Sequence, residues 1–234
     1  MSRSKELNLN HYQTDKITHR YYLERCDPFF QTLVDQPIKL LELGILNGGS
    51  LLLWRDYFPN GIIVGIDVKL PDNFNLDEKE HIYIFEGNQT DTVFLSEVAN
   101  QIAPKGFDII IDDASHIGSL TKISFWHLFD NHLKPSGIYI IEDWGTGYWD
   151  DWPDGKTFQP QSQTVETKQE NESVSKVLWE NHNYGMVGFI KQLIDEQGAE
   201  DYTRGLLSGQ PTRNSKFHSI TIHPSLVIIK KSAV

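Results

Sequence analysis

The chain has 234 residues, 39% of them hydrophobic and 12% aromatic, enough apolar material for one sizeable core at the length of a single domain, 1–234. A formal net charge of −11 excludes a broad grip on a phosphate backbone, which depends on clustered Lys and Arg, so no nucleic-acid partner is expected. The opening MSRSKELNLN has no apolar leader and no apolar run nears the roughly 20 residues that cross a bilayer, so a cytoplasmic chain with no membrane partner is expected. Cys26 is the single cysteine, which excludes an internal disulfide and a Cys-based zinc cage and leaves it as a small buried hydrophobe.

Residues 1–37 read as an N-terminal helical segment. Five short, β-branched runs follow: IKLLELG (38–44), IIVGID (62–67), IYIFEG (82–87), FDIIIDD (107–113) and IYIIED (138–143). Runs apolar on both faces are what parallel strands covered by helices look like. Between them, 50–58, 91–103 and 119–132 carry apolar residues at three- and four-residue spacing, so the alternation predicts a doubly wound, mostly parallel α/β sheet. A polar stretch with Gly and Pro, from Gly145 to about Ser173, breaks the pattern and reads as a mobile lid or substrate loop within 144–183. A helix is expected over 186–197 with Val187, Ile190 and Ile194 on one face. The tail FHSITIHPSLVIIKK reads as a C-terminal antiparallel hairpin turning at His223-Pro224. That hairpin separates the methyltransferase version of a Rossmann-like sheet from dinucleotide-binding relatives.

In open α/β sheets, ligands bind beyond the carboxyl ends of the strands. Acids gather at that edge: Glu42 before Gly44, then Asp67, Asp112 with Asp113, and Glu142 with Asp143; Asn88 and Gln89 follow the third strand. Gly44 with Asn47-Gly48-Gly49-Ser50 makes a strand-to-helix turn that lets backbone approach a ligand, though the same glycines would serve helix-sheet packing alone. The spacing is not G-x-G-x-x-G, which disfavours a nicotinamide enzyme. Asp67 ends the second strand, where an acid can accept from both ribose hydroxyls of a nucleoside.

If the fourth and fifth strands are adjacent, about 4.8 Å apart, their carboxylates converge and need a proton or a cation. Oxygen ligands favour a hard ion, Mg²⁺ first, with Mn²⁺ or Ca²⁺ open; the rival reading has one pair capping a helix and the other facing solvent. His116, three residues past Asp113, is favoured as a general base, worth about 10² to 10⁴-fold, over a nitrogen ligand or a plain loop histidine. Trp144, Tyr148, Trp149 and Trp152 follow the second acid pair, either as flat faces for a sugar ring or as anchors of the loop.

The motifs ELG...GGS, IDDASH and IEDWGTGYW, in this order, together with TDKITHRYY and YGMVGFIKQLID, resemble the metal-dependent O-methyltransferases of macrolide tailoring, the mycinamicin/oleandomycin sugar O-methyltransferase family. The resemblance runs from about Asp15 to the final hairpin. It implies a seven-stranded methyltransferase fold binding S-adenosyl-L-methionine at the first strand-helix turn, with Glu42, Gly44 and Ser50 around it. It further implies Mg²⁺ on Asp113, Glu142 and Asp143, His116 as base, Asp67 on the ribose, Asn88 and Gln89 beside the adenine, and Asp112 lining the donor pocket. The implied partner is a small-molecule acceptor, a glycoside or saccharide hydroxyl, with homo-oligomer formation left open. Asn88 stands where the family has Asp, the glycine turn is shorter, and no large N-terminal auxiliary domain is expected. Two other readings are a non-catalytic nucleotide-binding scaffold and another small-molecule enzyme on the same sheet.

Overall fold

The computed structural model describes residues 3–17, 21–71, 81–157, 163–166, 175–178 and 182–233. Short 3-10 turns at Arg3–Lys5, Leu9–His11 and Asp15–Ile17 precede α1 (Tyr22–Phe30). Then come β1 (Lys39–Leu43), α2 (Gly49–Tyr57), β2 (Ile62–Asp67), β3 (Ile82–Glu86), α3 (Thr92–Ile102), β4 (Phe107–Asp112), α4 (Gly118–Asn131) and β5 (Leu133–Glu142). A 3-10 turn at Trp144–Tyr148 leads to α5 (Pro153–Thr157), β6 (Gln163–Glu166), β7 (Ser175–Leu178), α6 (Gly185–Gln197), α7 (Ala199–Arg204), β8 (Phe217–His223) and β9 (Leu226–Lys231).

Seven strands form one sheet in the order β3-β2-β1-β4-β5-β9-β8, parallel from β3 to β5 and antiparallel at β9 and β8; β6 and β7 make a separate two-stranded ladder. This is the α/β methyltransferase architecture that the strand runs and the tail predicted. Alternate residues of each strand enter opposite cores, as the two-residue period requires. Leu40, Ile63, Ile109, Ile140 and Ile228 meet Tyr22, Phe30, Trp54 and Tyr57 of α1 and α2 on one face. Leu41, Val64, Ile110, Tyr139 and Ile229 meet Leu95, Phe125, Phe129 and Phe189 of α3, α4 and α6 on the other.

Two local readings are corrected. β5 begins five residues earlier than the apolar run: it pairs Phe107 with Leu133, then slips to Ile109 with Ile138, so Lys134-Pro135-Ser136-Gly137 bulges from the ladder. On α6 the inward residue is Leu193, fully buried, whereas Ile194 is 48% exposed. The stretch after Asp143, expected as a lid or substrate loop, holds the Trp144–Tyr148 turn, α5 and the β6–β7 ladder; its residues 158–162, 167–174 and 179–181 lie outside the described residues.

The order in which successive strands are added reverses between the parallel neighbours β1 and β4, leaving a crevice at their carboxyl ends. The turns there rest on one another. Gly44 N donates to Ile66 O (2.8 Å) and Asp113 N to Leu43 O (2.9 Å), carrying the pairing past the strand ends. Gly44 has φ +81°, and a Cβ on it would lie 2.2 Å from the Asp113 carbonyl oxygen. Only glycine permits both the conformation and the approach.

Candidate active site

The crevice opens into a cavity of about 870 Å³ lined by the Gly44–Ser50 turn, Asp67, Asn88, Gln89, Asp113, His116, Asp143 and Trp152, and closed on one side by Gln13, Thr14 and Asp15. Asp67 Oδ2 accepts from Ile45 N (2.9 Å) and Leu46 N (3.0 Å), so this acid shapes the glycine turn as well as facing the cavity. Asn88 Oδ1 accepts from Thr90 N and Oγ1, fixing the turn after β3. Gln89 is largely buried; its amide oxygen accepts from Ser115 N (3.1 Å) and its amide nitrogen lies 3.3 Å from Ser124 Oγ, tying the third turn to the fourth.

Glu42, Asp112 and Glu142, expected as ligand-binding acids, are buried and bonded to protein groups. Ser50 Oγ donates to Glu42 Oε2 (2.7 Å). Asp112 Oδ2 accepts from Ser124 Oγ (2.6 Å) and Tyr139 Oη (3.2 Å); burial pushes its pKa up to about 6 against the pull of those hydrogen bonds. Glu142 Oε2 accepts from Lys16 Nζ (2.9 Å), which also reaches Asp113 Oδ2 (2.7 Å) and Glu42 Oε1 (3.2 Å). Burial opposes the Lys16 charge, but Asp113, Glu142 and Glu42 outweigh it and hold its pKa well above the ordinary lysine value. Burial in turn pushes Glu142 well up and Glu42 and Asp113 up, each against the pull of the Lys16 ammonium.

On the cavity side of this cluster, His116 Nε2 lies 3.7 Å from Asp113 Oδ1 and 3.9 Å from Asp143 Oδ2. Asp113, His116 and Asp143 each offer one ligand atom, all within 4.8 Å of one another. Oxygen donors on a cluster with surplus negative charge suit a hard divalent ion, so the residues present fit Mg²⁺. His116 and Asp143 both have left-handed backbone (φ +52° and +53°), a conformation uncommon outside glycine that His and Asp tolerate better than most residues. Tyr22 Oη donates to Asp143 Oδ1 (2.5 Å), anchoring that carboxylate from α1.

The segment after β5 folds over this spot. Trp152 lies against the His116 ring, centroids 5.8 Å apart. Asp154, 4% exposed, accepts from Gly118 N and Met186 N, both 2.7 Å, and so joins the first turns of α4 and α6. The other aromatics of the segment differ in role: Trp144 Nε1 donates to His223 O (2.9 Å) as an anchor, while Tyr148 and Trp149 are 45% and 41% exposed. Sequence reasoning missed Lys16, Tyr22 and Asp154; only TDKITHRYY, quoted for the family resemblance, marked the first two.

No protein-family model matches the chain. Among curated proteins, mycinamicin VI 2''-O-methyltransferase of Micromonospora griseorubida is 38% identical over 136 residues, 55% of this chain and 33% of that protein. The 8-demethyl-8-alpha-L-rhamnosyl tetracenomycin-C 2'-O-methyltransferase of Streptomyces olivaceus is 28% identical over 232 residues, 94% of this chain and 52% of that protein. A solved structure of the MycE methyltransferase from the mycinamycin biosynthetic pathway, in complex with Mg and SAH, superposes with a TM-score of 0.71 at 26% identity, over 99% of this chain and 55% of that one. The chain therefore has the class I S-adenosylmethionine-dependent methyltransferase fold. Its relatives are sugar O-methyltransferases of macrolide and tetracenomycin tailoring, and it spans about half or less of their length.

Proposed function

We propose that this protein transfers a methyl group from S-adenosyl-L-methionine to a hydroxyl of a sugar or glycosylated natural product, with a divalent ion, Mg²⁺ by preference, at the acid cluster. The observation that carries the reading is the convergence of Asp113, His116 and Asp143 at one end of a cavity whose other end is the Gly44 turn and Asp67. Similarity to enzymes that methylate sugar hydroxyls, and to a fold solved with Mg and SAH, supports the substrate class and both cofactors.

The Gly44–Ser50 turn and Asp67 bind the nucleoside part of the donor, the turn through backbone N–H groups at the start of α2. Asp113, Glu142 and Asp143 are the acids that would hold the ion, Glu142 after release from Lys16. When bound, the ion supplies positive charge that orients the acceptor hydroxyl and lowers its proton affinity. His116 takes the hydroxyl proton at Nε2 as the oxygen bonds to the methyl carbon and the carbon–sulfur bond breaks. Trp152 restrains the imidazole and covers it from water, so catalysis comes mostly from positioning and charge.

The test is calorimetric titration with S-adenosylhomocysteine, with Mg²⁺ and then with chelator, followed by methyl transfer to a panel of glycosides. Micromolar binding and chelator-sensitive transfer are expected. Absence of binding in both conditions would leave only a shared fold.

A further inference from the structure

We propose that Lys16 is a tethered counter-ion, which neutralises the acid cluster while the divalent ion is absent and is exchanged for that ion when it binds. The inference rests on the ion-binding reading above and deepens it by giving that site a built-in competitor.

Lys16 Nζ is 1% exposed and lies within ion-pair distance of Asp113, Glu142 and Glu42. Two of these, Asp113 and Glu142, are acids that an ion would take. An ammonium held against Asp113 and Glu142 and a divalent ion on the same two carboxylates would repel each other strongly at this depth. Glu42 and Glu142 are too buried to be neutralised by solvent counter-ions, so the cation must come from the protein or from the ion itself. Lys16 Nζ meets Glu42 Oε1 at 3.2 Å, longer than its 2.7 and 2.9 Å contacts with Asp113 and Glu142, so one ammonium is stretched over three carboxylates.

Lys16 also has somewhere to go. It belongs to the short turn Asp15–Ile17 rather than to the sheet, so it can withdraw without breaking a ladder. It also borders a second cavity of about 410 Å³ whose lining includes Asn8, Asn10 and Glu24, groups able to receive an ammonium, beside one other cation, Lys5. Gln13, Thr14 and Asp15, just before it, line the donor cavity. Exchange at Lys16 therefore also moves a wall of the donor site, which couples the two binding events.

Mg²⁺ titrated calorimetrically into the full chain, the Lys16→Met variant and the charge-retaining Lys16→Arg variant tests this, beside thermal unfolding. Lys16→Met is expected to bind Mg²⁺ at least tenfold tighter, to melt lower without the ion and to recover with it, while Lys16→Arg keeps the parent affinity. In the parent, Mg²⁺ should hasten amide hydrogen exchange over residues 13–17, a readout that stands even if Lys16→Met does not fold. Binding to Lys16→Met alone also supports the exchange. Parent binding with no gain in Lys16→Met and unchanged exchange overturns this inference and leaves the ion site standing; no binding to any variant overturns both.

Discussion

Tyr22 on α1 and Asp143 beyond β5 are joined by a 2.5 Å hydrogen bond, so the helix that opens the fold fixes the outermost carboxylate of the cluster. Tyr22 is itself 3% exposed. Tyr22→Phe keeps the packing and removes the donor to a carboxylate, a change worth roughly 1–2 kcal/mol of stability. Mg²⁺ affinity should fall several-fold while S-adenosylhomocysteine binds as before, as paired calorimetric titrations would reveal; equal losses for both ligands would mean that Tyr22 supports the whole crevice instead.

His116→Gln should lower turnover by about 10² to 10⁴-fold, the usual contribution of a positioned base. Donor binding should change less than twofold, because the donor end of the cavity is made by Gly44 and Asp67. Measured kcat and S-adenosylhomocysteine affinity separate these effects, and a variant retaining near-parent kcat would remove His116 from the chemistry.

Asp154→Ala leaves the N–H groups of Gly118 and Met186 without their acceptor inside the protein. Two unmade buried hydrogen bonds cost about 2–4 kcal/mol, a drop in melting temperature on the order of 10 °C. Asp154→Asn, which keeps an acceptor oxygen, should lose less than half as much by calorimetric melting.

His127 and His132 lie apart from the site, with Nε2 2.8 and 3.0 Å from Ser96 Oγ. Burial lowers both pKa values, and His127 adds to the lowering at His132. The unfolded chain therefore takes protons more readily than the folded one, so the contribution to stability is present above the ordinary histidine pKa of about 6.5 and is lost as pH falls below it. Melting temperature should decline from pH 7.5 to 5.5, and the double variant His127→Gln/His132→Gln should flatten that slope. An unchanged slope would place the sensitivity elsewhere.

The sheet was legible because parallel strands covered on both faces carry unbroken apolar runs: Ile62–Asp67 needed no adjustment. The first half of β5 was hidden because Lys134-Pro135-Ser136-Gly137 has neither the period nor the hydrophobicity of a strand, and only the Phe107–Leu133 pairing recruits it. Ile194 misled because the buried stripe of α6 runs through Met186, Phe189, Ile190 and Leu193 in three- and four-residue steps, which leave Ile194 to one side. That Asp113, His116 and Asp143 lie together was legible because strand ends converge at one edge. Which oxygen faces which partner was not: Glu42 and Ser50 satisfy each other, and Glu142 turns to a lysine more than a hundred residues earlier in the chain. In sequence, Lys16 is one charge in a polar stretch, and nothing local marks it as buried.

The clasp on Asp143 has a consequence for how the protein is made. Asp143 N and Tyr22 Oη both bond to Ser225 O, at 2.7 and 3.0 Å, in the turn between β8 and β9. On the ribosome, residues emerge at about 5–20 per second, so every acid of the cluster leaves the exit tunnel well before that carbonyl exists. A nascent chain thus carries the charges without their arrangement. The clasp on Asp143 is therefore completed late, when the β8–β9 hairpin docks beside β5.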